Sequence, residues 1–152
     1  MSYVENGLLS GEQVVYKAKI HWFIFVPGAF LLAFGIYLAA VLGDAAVIGI
    51  LVAFAGIFSL MKAFIQRMTT ELAVTSKRVI TKVGLIRRST MELNHSKVES
   101  FHVDQSILGR IFGFGTLVVN GTGGGKTPVP NIDSPLEFRR EAMQTIDGSQ
   151  SK

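Results

Sequence analysis

The chain lacks cysteine entirely, and it lacks charged side chains over two long stretches near its N-terminus. The absence of cysteine excludes disulfides, thiolate metal ligands and thiol nucleophiles. Only 17% of the 152 residues are charged, against roughly a quarter in an average globular chain. The deficit is local, because residues 20–43 and residues 45–61 contain no Asp, Glu, Lys or Arg.

The two charge-free stretches predict a pair of transmembrane helices, over about 22–42 and about 45–65. At about 1.5 Å per residue, the first would span on the order of 30 Å, which is the thickness of the hydrocarbon core. The second reaches this length if Lys62 extends its ammonium group to the lipid headgroups. Because only Gly43 and Asp44 separate the two runs, the helices must form an antiparallel hairpin.

Basic residues indicate the orientation of this hairpin. Lys17 and Lys19 precede the first span, Lys62 and Arg67 border the end of the second, and the loop between the spans has no basic residue. The positive-inside rule therefore puts both termini in the cytoplasm. Neither of the two charge-free stretches offers a group within the membrane for a proton relay or a charged-substrate site, which counts against a transporter.

A stripe of small residues runs along the second span. Ala45, Gly49 and Ala53 recur every four positions, and Gly56 lies one helical step further. Small side chains permit the close approach of two helices in a membrane. The stripe is a candidate surface either for packing on the first helix or for association with another copy of the protein.

After Arg67 the pattern changes to short β-branched runs separated by turn residues. The runs predict strands at 72–75, 78–83, 90–93, 98–103 and 116–120, and an edge strand around 127–132, where Pro128 and Pro130 cannot donate ladder hydrogen bonds. Alternating apolar residues at 13–20 predict a further edge strand ahead of the first span. Six or seven short strands are typical of a small sandwich or a partly open barrel.

The last part of the chain carries the signals of a helix start. Ser134 is suited to be the N-cap, Pro135 to be the first helical residue, and Glu137 to complete a capping box. Apolar residues then recur at intervals of four up to Ile146, so one face of the helix packs on the strands. Gly148 is the expected stop.

The chain resembles the bacterial pleckstrin-homology (PH) domain membrane proteins, which have two N-terminal transmembrane helices followed by a PH-like domain. The resemblance lies in residues 72–80, 97–101 and 134–138, and above all in 105–116, which read QSILGRIFGFGT. It implies a mainly-β PH-like barrel with one C-terminal α-helix behind the hairpin. It also implies a bacterial inner (plasma) membrane location, with the PH-like domain in the cytoplasm.

These features together predict the domain organisation. Residues 1–21 form an N-terminal cytoplasmic segment, residues 22–66 form the transmembrane hairpin, residues 67–148 form the PH-like domain, and residues 149–152 are a tail. Fold alone does not give function. The function therefore has to be argued from candidate sites.

The first candidate site is a set of cations on the first two strands of the PH-like domain and their turns. PH domains that bind phosphoinositides place cations in this region, and each cation near an anionic leaflet contributes about 1 kcal/mol of attraction. The candidates for lipid contact are Lys77, Arg78, Lys82, Arg87 and Arg88. A solvated face that only avoids repulsion is the equal alternative.

The second candidate site is a glycine-rich passage. Gly109, Gly113 and Gly115 fall within seven residues, which suits positive φ angles or a close approach of strands. Arg110 lies among them. Its guanidinium could lock the turn by hydrogen bonds to carbonyls, or it could point outward to a phosphate or to the carboxylate of a partner.

Several other functions lack the residues they need. Gly125-Lys126-Thr127 does not complete a nucleotide-binding P-loop, because Asn120 stands where the first glycine is required. His95 and His102 have no cysteine and no clustered carboxylates to form a metal site. The net charge of +4 lies mainly after the apolar block and does not indicate nucleic-acid binding. We expect no enzyme activity, no cofactor, no nucleotide and no nucleic-acid partner.

The expected function is a membrane-anchored interaction or scaffold module at the inner leaflet, in contact with lipids and an unknown protein partner, and self-associating as a homo-oligomer. The alternative is a sensor of anionic lipid headgroups that uses the basic set. An unpaired edge at the glycine- and proline-rich loop and the stripe of small residues favour self-association.

Overall fold

The structure is a computed structural model that describes residues 3–84 and 89–150, and it divides into two compact units. The first unit, called the β-domain here, combines Met1–His21 with Thr69–Lys152. The second, called the helical hairpin, is Trp22–Met68. The β-domain is therefore discontinuous in sequence, with the hairpin inserted into it.

Five α-helices and seven strands are present among the described residues. The helices are α1 (Tyr3–Asn6), α2 (Val26–Val41), α3 (Ala46–Thr69), α4 (Ile107–Phe112) and α5 (Pro135–Gln150). The strands are β1 (Val14–Lys17), β2 (Glu71–Thr75), β3 (Arg78–Val83), β4 (Ser89–Asn94), β5 (Val98–Asp104), β6 (Phe114–Gly121) and β7 (Lys126–Asp133). The strands predicted after Arg67 are all confirmed within two residues at either end, whereas the apolar run before Gly113 forms a helix.

The strands form two antiparallel sheets, ordered β1-β2-β3-β4 and β5-β6-β7. The predicted barrel is not closed among these strands. One link joins the sheets beyond β1, where Ile20 forms a bridge to Ile132 of β7. The amide of Asp133 donates to the carbonyl of Lys19 at 2.8 Å, which continues this link.

The core of the β-domain lies between the sheets and α5. Phe138 of α5 is fully buried, and its ring meets Tyr16 of β1 and Phe101 of β5 edge-on, with centroids 5.7 and 6.2 Å apart. Leu117 of β6 and Val129 of β7 are also fully buried. Side chains that alternate along β6 are buried on the core face, as expected for a half-covered strand.

The other face of the first sheet is covered by the N-terminal segment. Val4 of α1 is fully buried against Ala73 and Ile80, with Tyr3 and Val14 packed beside them. This contact explains why successive residues of β2 and β3 are buried on both faces. Residues 3–20 are thus structural parts of the β-domain.

The helical hairpin contains two helices that are long and apolar enough to cross a membrane, Trp22–Val41 with 20 residues and Gly43–Thr69 with 27. Their large side chains are mostly exposed, for example Phe30 at 67% and Phe54 at 71%. Pro27 lies in the first turn of α2, where its missing N–H is not needed.

Helix α5 begins at Pro135, as predicted, but its ends differ from expectation in detail. The amides of Glu137 and Phe138 donate to the carbonyl of Ser134, in place of the hydroxyl contact that a capping box has. Ser134 has a φ of 47°, whereas an N-cap residue is ordinarily extended. The predicted stop at Gly148 is wrong, because the helix continues to Gln150.

Candidate functional site

The chain leaves and re-enters the β-domain on two neighbouring strands. At the end of β1, Lys17 pairs with Ala73 of β2, and the amide of Ala18 donates to the carbonyl of Leu72 at 2.8 Å. The helical hairpin is inserted between these strands. We call this end of the β-domain, where β1 ends and β2 begins, the attachment end.

The last residue before the first long helix is held firmly at the attachment end. The amide of His21 donates to the carbonyl of Asn131 at 2.8 Å, and its ring stacks on that of Phe114, with centroids 5.3 Å apart. His21 is itself buried. The start of β6 therefore lies beside the residue from which the chain passes into the hairpin.

Helix α4 comes just before this start of β6, and its geometry is closely determined. The Ser106 hydroxyl caps the helix by accepting from the amide of Gly109 at 3.1 Å, and Gly113 ends it with a φ of 79°. A Cβ on Gly109 would lie 2.5 Å from the carbonyl oxygen of Phe114. One side of α4 is thus packed against the backbone too closely for any side chain.

A glutamine, not the arginine, locks the turn around α4. The Gln105 side-chain amide donates to the carbonyl of Phe114 at 3.0 Å and lies 3.4 Å from that of Gly109. Arg110 is exposed, and its guanidinium makes no hydrogen bond or ion pair with the side chains that the structure describes. The outward alternative for Arg110 therefore stays a hypothesis.

The side of α4 opposite Gly109 is apolar and exposed. We call this surface the α4 patch; it consists of Ile107, Leu108 and Ile111 of α4 together with Leu136 of α5, which are 71%, 52%, 69% and 57% exposed. Single exposed leucines are common on protein surfaces, but a cluster of large apolar side chains marks an interaction surface.

A cleft of about 500 Å³ adjoins the α4 patch. Its lining comes from the turns around α4 and from the first turn of α5, namely Gln105, Arg110, Gly113, Ser134, Pro135, Leu136 and Glu137. Arg110 and Glu137 give it one cation and one anion. The amide of Ser134 donates to the carbonyl of Gly113 at 2.8 Å, which holds the two walls together.

The glycines predicted to form a turn are at points of close approach. A Cβ on Gly115 would lie 2.7 Å from the carbonyl oxygen of Asp104 on β5, and Gly109 is equally confined. Gly113 has a φ of 79°, in the left-handed region that favours glycine. Arg110 shares their segment but takes no part in the close contacts.

Of the cations predicted to contact lipid, those that the structure describes are spread along β3 and its preceding turn, with Arg78 and Lys82 on the same face of the strand. Lys77 and Arg78 lie at the β2–β3 turn, whereas Lys82 lies four residues along β3, roughly 13 Å away. Lys82 is 3.4 Å from a Glu71 carboxylate oxygen and 5.1 Å from the centre of the Tyr3 ring. Arg87 and Arg88 lie outside the described residues.

Arg78 is engaged in a largely buried ion-pair network. Its guanidinium bonds Glu12 at 2.9 and 3.0 Å, Glu92 at 2.5 Å and the carbonyl of Gly7 at 2.6 Å. Burial alone would raise the pKa of Glu12, but hydrogen bonds from Arg78, from the amide of Leu9 and from Thr75, with the Arg78 charge, lower its pKa to about 2. These charges compensate one another inside the fold.

His95 connects the end of α5 to the first sheet. Its Nε2 lies 3.0 Å from the carbonyl of Thr75, and its Nδ1 lies 2.8 Å from the hydroxyl of Ser149. Burial lowers the pKa of His95, against the opposing effects of the Thr75 carbonyl and the Glu12 charge. Within residues 3–84 and 89–150, no group of three His, Asp or Glu side chains could hold a metal ion.

The small residues of the hairpin lie where α2 and α3 touch within one chain. A Cβ on Gly49 would overlap the backbone of Ala39, and one on Gly35 would overlap that of Ala53. The contacts follow an antiparallel order, pairing Gly28 with Leu60, Leu32 with Gly56, Gly35 with Ala53 and Ala39 with Gly49. Ala45 is exposed in the turn between the helices.

Sequence reasoning missed half of this helix contact. Gly28 and Gly35 are seven residues apart on the first helix, as Gly49 and Gly56 are on the second. Two equal glycine spacings on antiparallel helices would have been the signal. It also missed Gln105 and the structural use of the N-terminal segment.

Comparison with known proteins identifies the family. Residues 23–145 match the family described as Bacterial PH domain, which covers most of the chain. The chain therefore belongs to the bacterial PH domain family, as the resemblance in the sequence indicated. No curated protein and no solved structure matches the chain.

Proposed function

We propose that this bacterial PH domain protein is a non-enzymatic interaction module, anchored in the inner membrane by its helical hairpin and presenting the β-domain at the inner leaflet. The observation that carries the proposal is the insertion of two long apolar helices between β1 and β2, which are paired with each other. PH-like domains generally serve binding rather than catalysis, which supports the non-enzymatic part.

The insertion point distinguishes this arrangement from a flexible tether. Both chain connections to the hairpin begin within a few residues of backbone hydrogen bonds. Before the hairpin, Ala18 donates to Leu72 and His21 donates to Asn131; after the hairpin, Leu72 is the acceptor from Ala18. The attachment end is therefore the part of the β-domain that is nearest to the hairpin along the chain. Anchoring also raises the effective concentration of the domain for any partner in the same membrane.

The test uses the absence of cysteine from the natural chain. Single substitutions Asp44→Cys, in the turn between the helices, and Ser100→Cys, on an exposed position of β5, are made in the full chain. We expect a membrane-impermeant thiol reagent to label the first variant in intact spheroplasts and the second only after permeabilisation. Labelling of Ser100→Cys without permeabilisation, or release of the protein by alkaline carbonate, would refute the proposal.

Self-association stays a separate hypothesis. Of the two features that favoured it, Gly49 and Gly56 pack on α2, whereas the proline-containing strand β7 is paired with β6 on one side and lies at the edge of its sheet. Native mass spectrometry of the full chain in nanodiscs tests it directly. A monomer at all protein-to-lipid ratios would exclude it.

Sensing of anionic headgroups through the basic set is the second candidate function. Arg78 and Lys82 face carboxylates at short distance, so this hypothesis now depends on Lys77, Arg87 and Arg88. Reversal of the charge at Arg87 and Arg88 should then reduce the anionic lipid that remains bound in native mass spectra. Equal lipid retention by the natural chain and the variant would exclude it.

A further inference from the structure

We propose that the α4 patch enters the interfacial layer of the bilayer that the helical hairpin crosses, and so forms a second membrane contact of the β-domain. This inference rests on the proposed function, because it requires the hairpin to lie in lipid. The occupant of the patch is the phospholipid boundary between headgroups and acyl chains. Neither a second copy of the chain nor a protein partner is needed.

Helix α4 lies close to the residue from which the chain passes into the hairpin. His21 is the residue directly before the first long apolar helix, and its ring stacks on that of Phe114. Phe114 follows the end of α4 by two residues, which is at most about 7.6 Å between Cα atoms. The end of α4 is thus separated from His21 by two residues and one ring stack, and His21 directly precedes the first apolar helix along the chain.

The exposed face of α4 is composed of large apolar side chains. Ile107 and Ile111 are four residues apart and Leu108 lies beside them, so the three side chains cover one side of the helical turn. Leu136, which is exposed in the first turn of α5, lines the adjoining cleft together with Arg110 of α4. Large apolar side chains on a short surface helix are typical of segments that insert shallowly into a membrane interface.

Helix α4 cannot rotate to bury this apolar face. Its opposite side is occupied by Gly109, which is packed against the carbonyl of Phe114, and its ends are held by Ser106 and Gln105. Rotation of the helix would break these contacts and bring side chains into a space that admits no Cβ. The apolar face is therefore held outward in the absence of any partner.

The charge on α4 is compatible with a phospholipid surface. No acidic residue occurs in α4, and its single charged residue, Arg110, is exposed beside the patch. A guanidinium on a partly inserted helix can reach phospholipid phosphates while its stem remains among apolar groups. Glu137 lines the same cleft as Arg110, so the cleft carries one charge of each sign and does not select anionic lipids by its net charge. We therefore expect Arg110 to contact the phosphate of zwitterionic and anionic phospholipids alike.

The test measures how deeply single residues lie in the bilayer, with the full chain reconstituted in vesicles of phosphatidylethanolamine and phosphatidylglycerol. Three variants, Ile111→Cys in the patch, Ile36→Cys in α2 and Thr122→Cys in the β6–β7 turn, each carry an environment-sensitive fluorophore. All three positions are exposed. Aqueous iodide and nitroxide groups on the lipid acyl chains serve as quenchers.

We expect the label at Ile111→Cys to be quenched by shallow nitroxides and to be about fivefold less accessible to iodide than the label at Thr122→Cys, because an inserted interfacial helix is shielded from water. Adding Leu108→Asp to the Ile111→Cys variant should restore access of iodide. Adding Leu9→Asp, at another exposed apolar position of the β-domain, should not. Unchanged circular dichroism would show that both double variants are folded.

The outcomes separate the two proposals. If the label at Ile36→Cys is quenched from lipid while that at Ile111→Cys behaves like Thr122→Cys, the anchor stands and the α4 inference is refuted. If Ile111→Cys is shielded from iodide and from nitroxides together, protein covers the patch and the inference is also refuted. If Ile36→Cys is quenched by iodide, the hairpin is not in lipid and both proposals fail.

Discussion

Glu12 and Arg78 form an ion pair, with 2.9 Å between Glu12 Oε2 and Arg78 Nη2, although 66 positions separate them in the sequence. The Glu12 side chain is fully buried and that of Arg78 is 12% exposed. Glu12 precedes the helical hairpin and Arg78 follows it. The pair therefore connects the two parts of the β-domain that are distant in sequence.

Replacing Glu12 with Ala should lower the free energy of unfolding of the β-domain by about 3 kcal/mol, because it leaves Arg78 largely buried without its main partner. Glu92 still faces the guanidinium, so the loss should fall at the low end for a broken buried pair. Hydrogen exchange of the β2 and β3 amides in the full chain measures it. Glu99→Ala, at an exposed position of β5, is the control and should change little.

The same carboxylate should make the β-domain sensitive to acid. The pKa of Glu12 is about 2 in the folded protein and about 4.5 ordinarily, so the unfolded chain takes up the proton first as the pH falls. The contribution of Glu12 is thus complete above pH 4.5 and is lost as the pH falls towards 2, by about 3 kcal/mol in total.

Glu12→Gln provides the comparison for this pH dependence. The single side-chain oxygen of Gln can accept from the amide of Leu9 or from Thr75 but not from both, because the two groups donate to different oxygens of Glu12, and the amide cannot titrate. We expect the difference in stability between the natural chain and the variant to shrink as the pH falls from 4.5 to 2. A constant difference over this range would contradict the assigned pKa.

The strands after Arg67 could be predicted because their signals are local. β3 is a β-branched run between Ser76-Lys77 and Gly84, and the start of α5 is marked by Ser134-Pro135. Such patterns act through backbone conformations of a few neighbouring residues. The family resemblance added the expectation of a PH-like fold, which the family match supports.

The features that sequence reasoning missed depend on distant contacts. Val4 belongs to a four-residue helix that has no pattern of its own and is buried only because Ala73 and Ile80 lie beneath it. The exposure of Ile107 and Ile111 was equally unpredictable, since a short apolar run is as consistent with a core strand as with a surface helix. Which face is open depends on the packing of Gly109.

A chain that starts at Thr69 should fail to form the β-domain, whereas residues 1–21 joined to residues 69–152 by a short glycine-serine linker should form it. The first lacks β1, the Val4 contact and the Glu12 carboxylate, so Tyr16 no longer meets Phe138 and Arg78 loses its partner. The second retains all of them, because β1 and β2 are antiparallel neighbours.

Amide chemical-shift dispersion and exchange protection distinguish these two chains. The linked chain should show protected amides in β2 and β3, and the truncated chain should not. If the truncated chain gave the same protected set, the N-terminal segment would be an accessory and not a structural part of the β-domain.

Gly49→Leu should destabilise the helical hairpin by about 2 kcal/mol, because a side chain at this position overlaps the backbone of Ala39 and the helices must move apart. Thermal unfolding of the full chain in detergent measures the effect. Ala55→Leu is the matched control, since Ala55 is an exposed position of α3 and accepts a larger side chain without contact to α2. If Gly49→Leu left the unfolding temperature unchanged but abolished an oligomer in native mass spectra, the glycines would serve association between chains instead. A fall in unfolding temperature of a monomeric protein is the outcome that the α2–α3 contact requires.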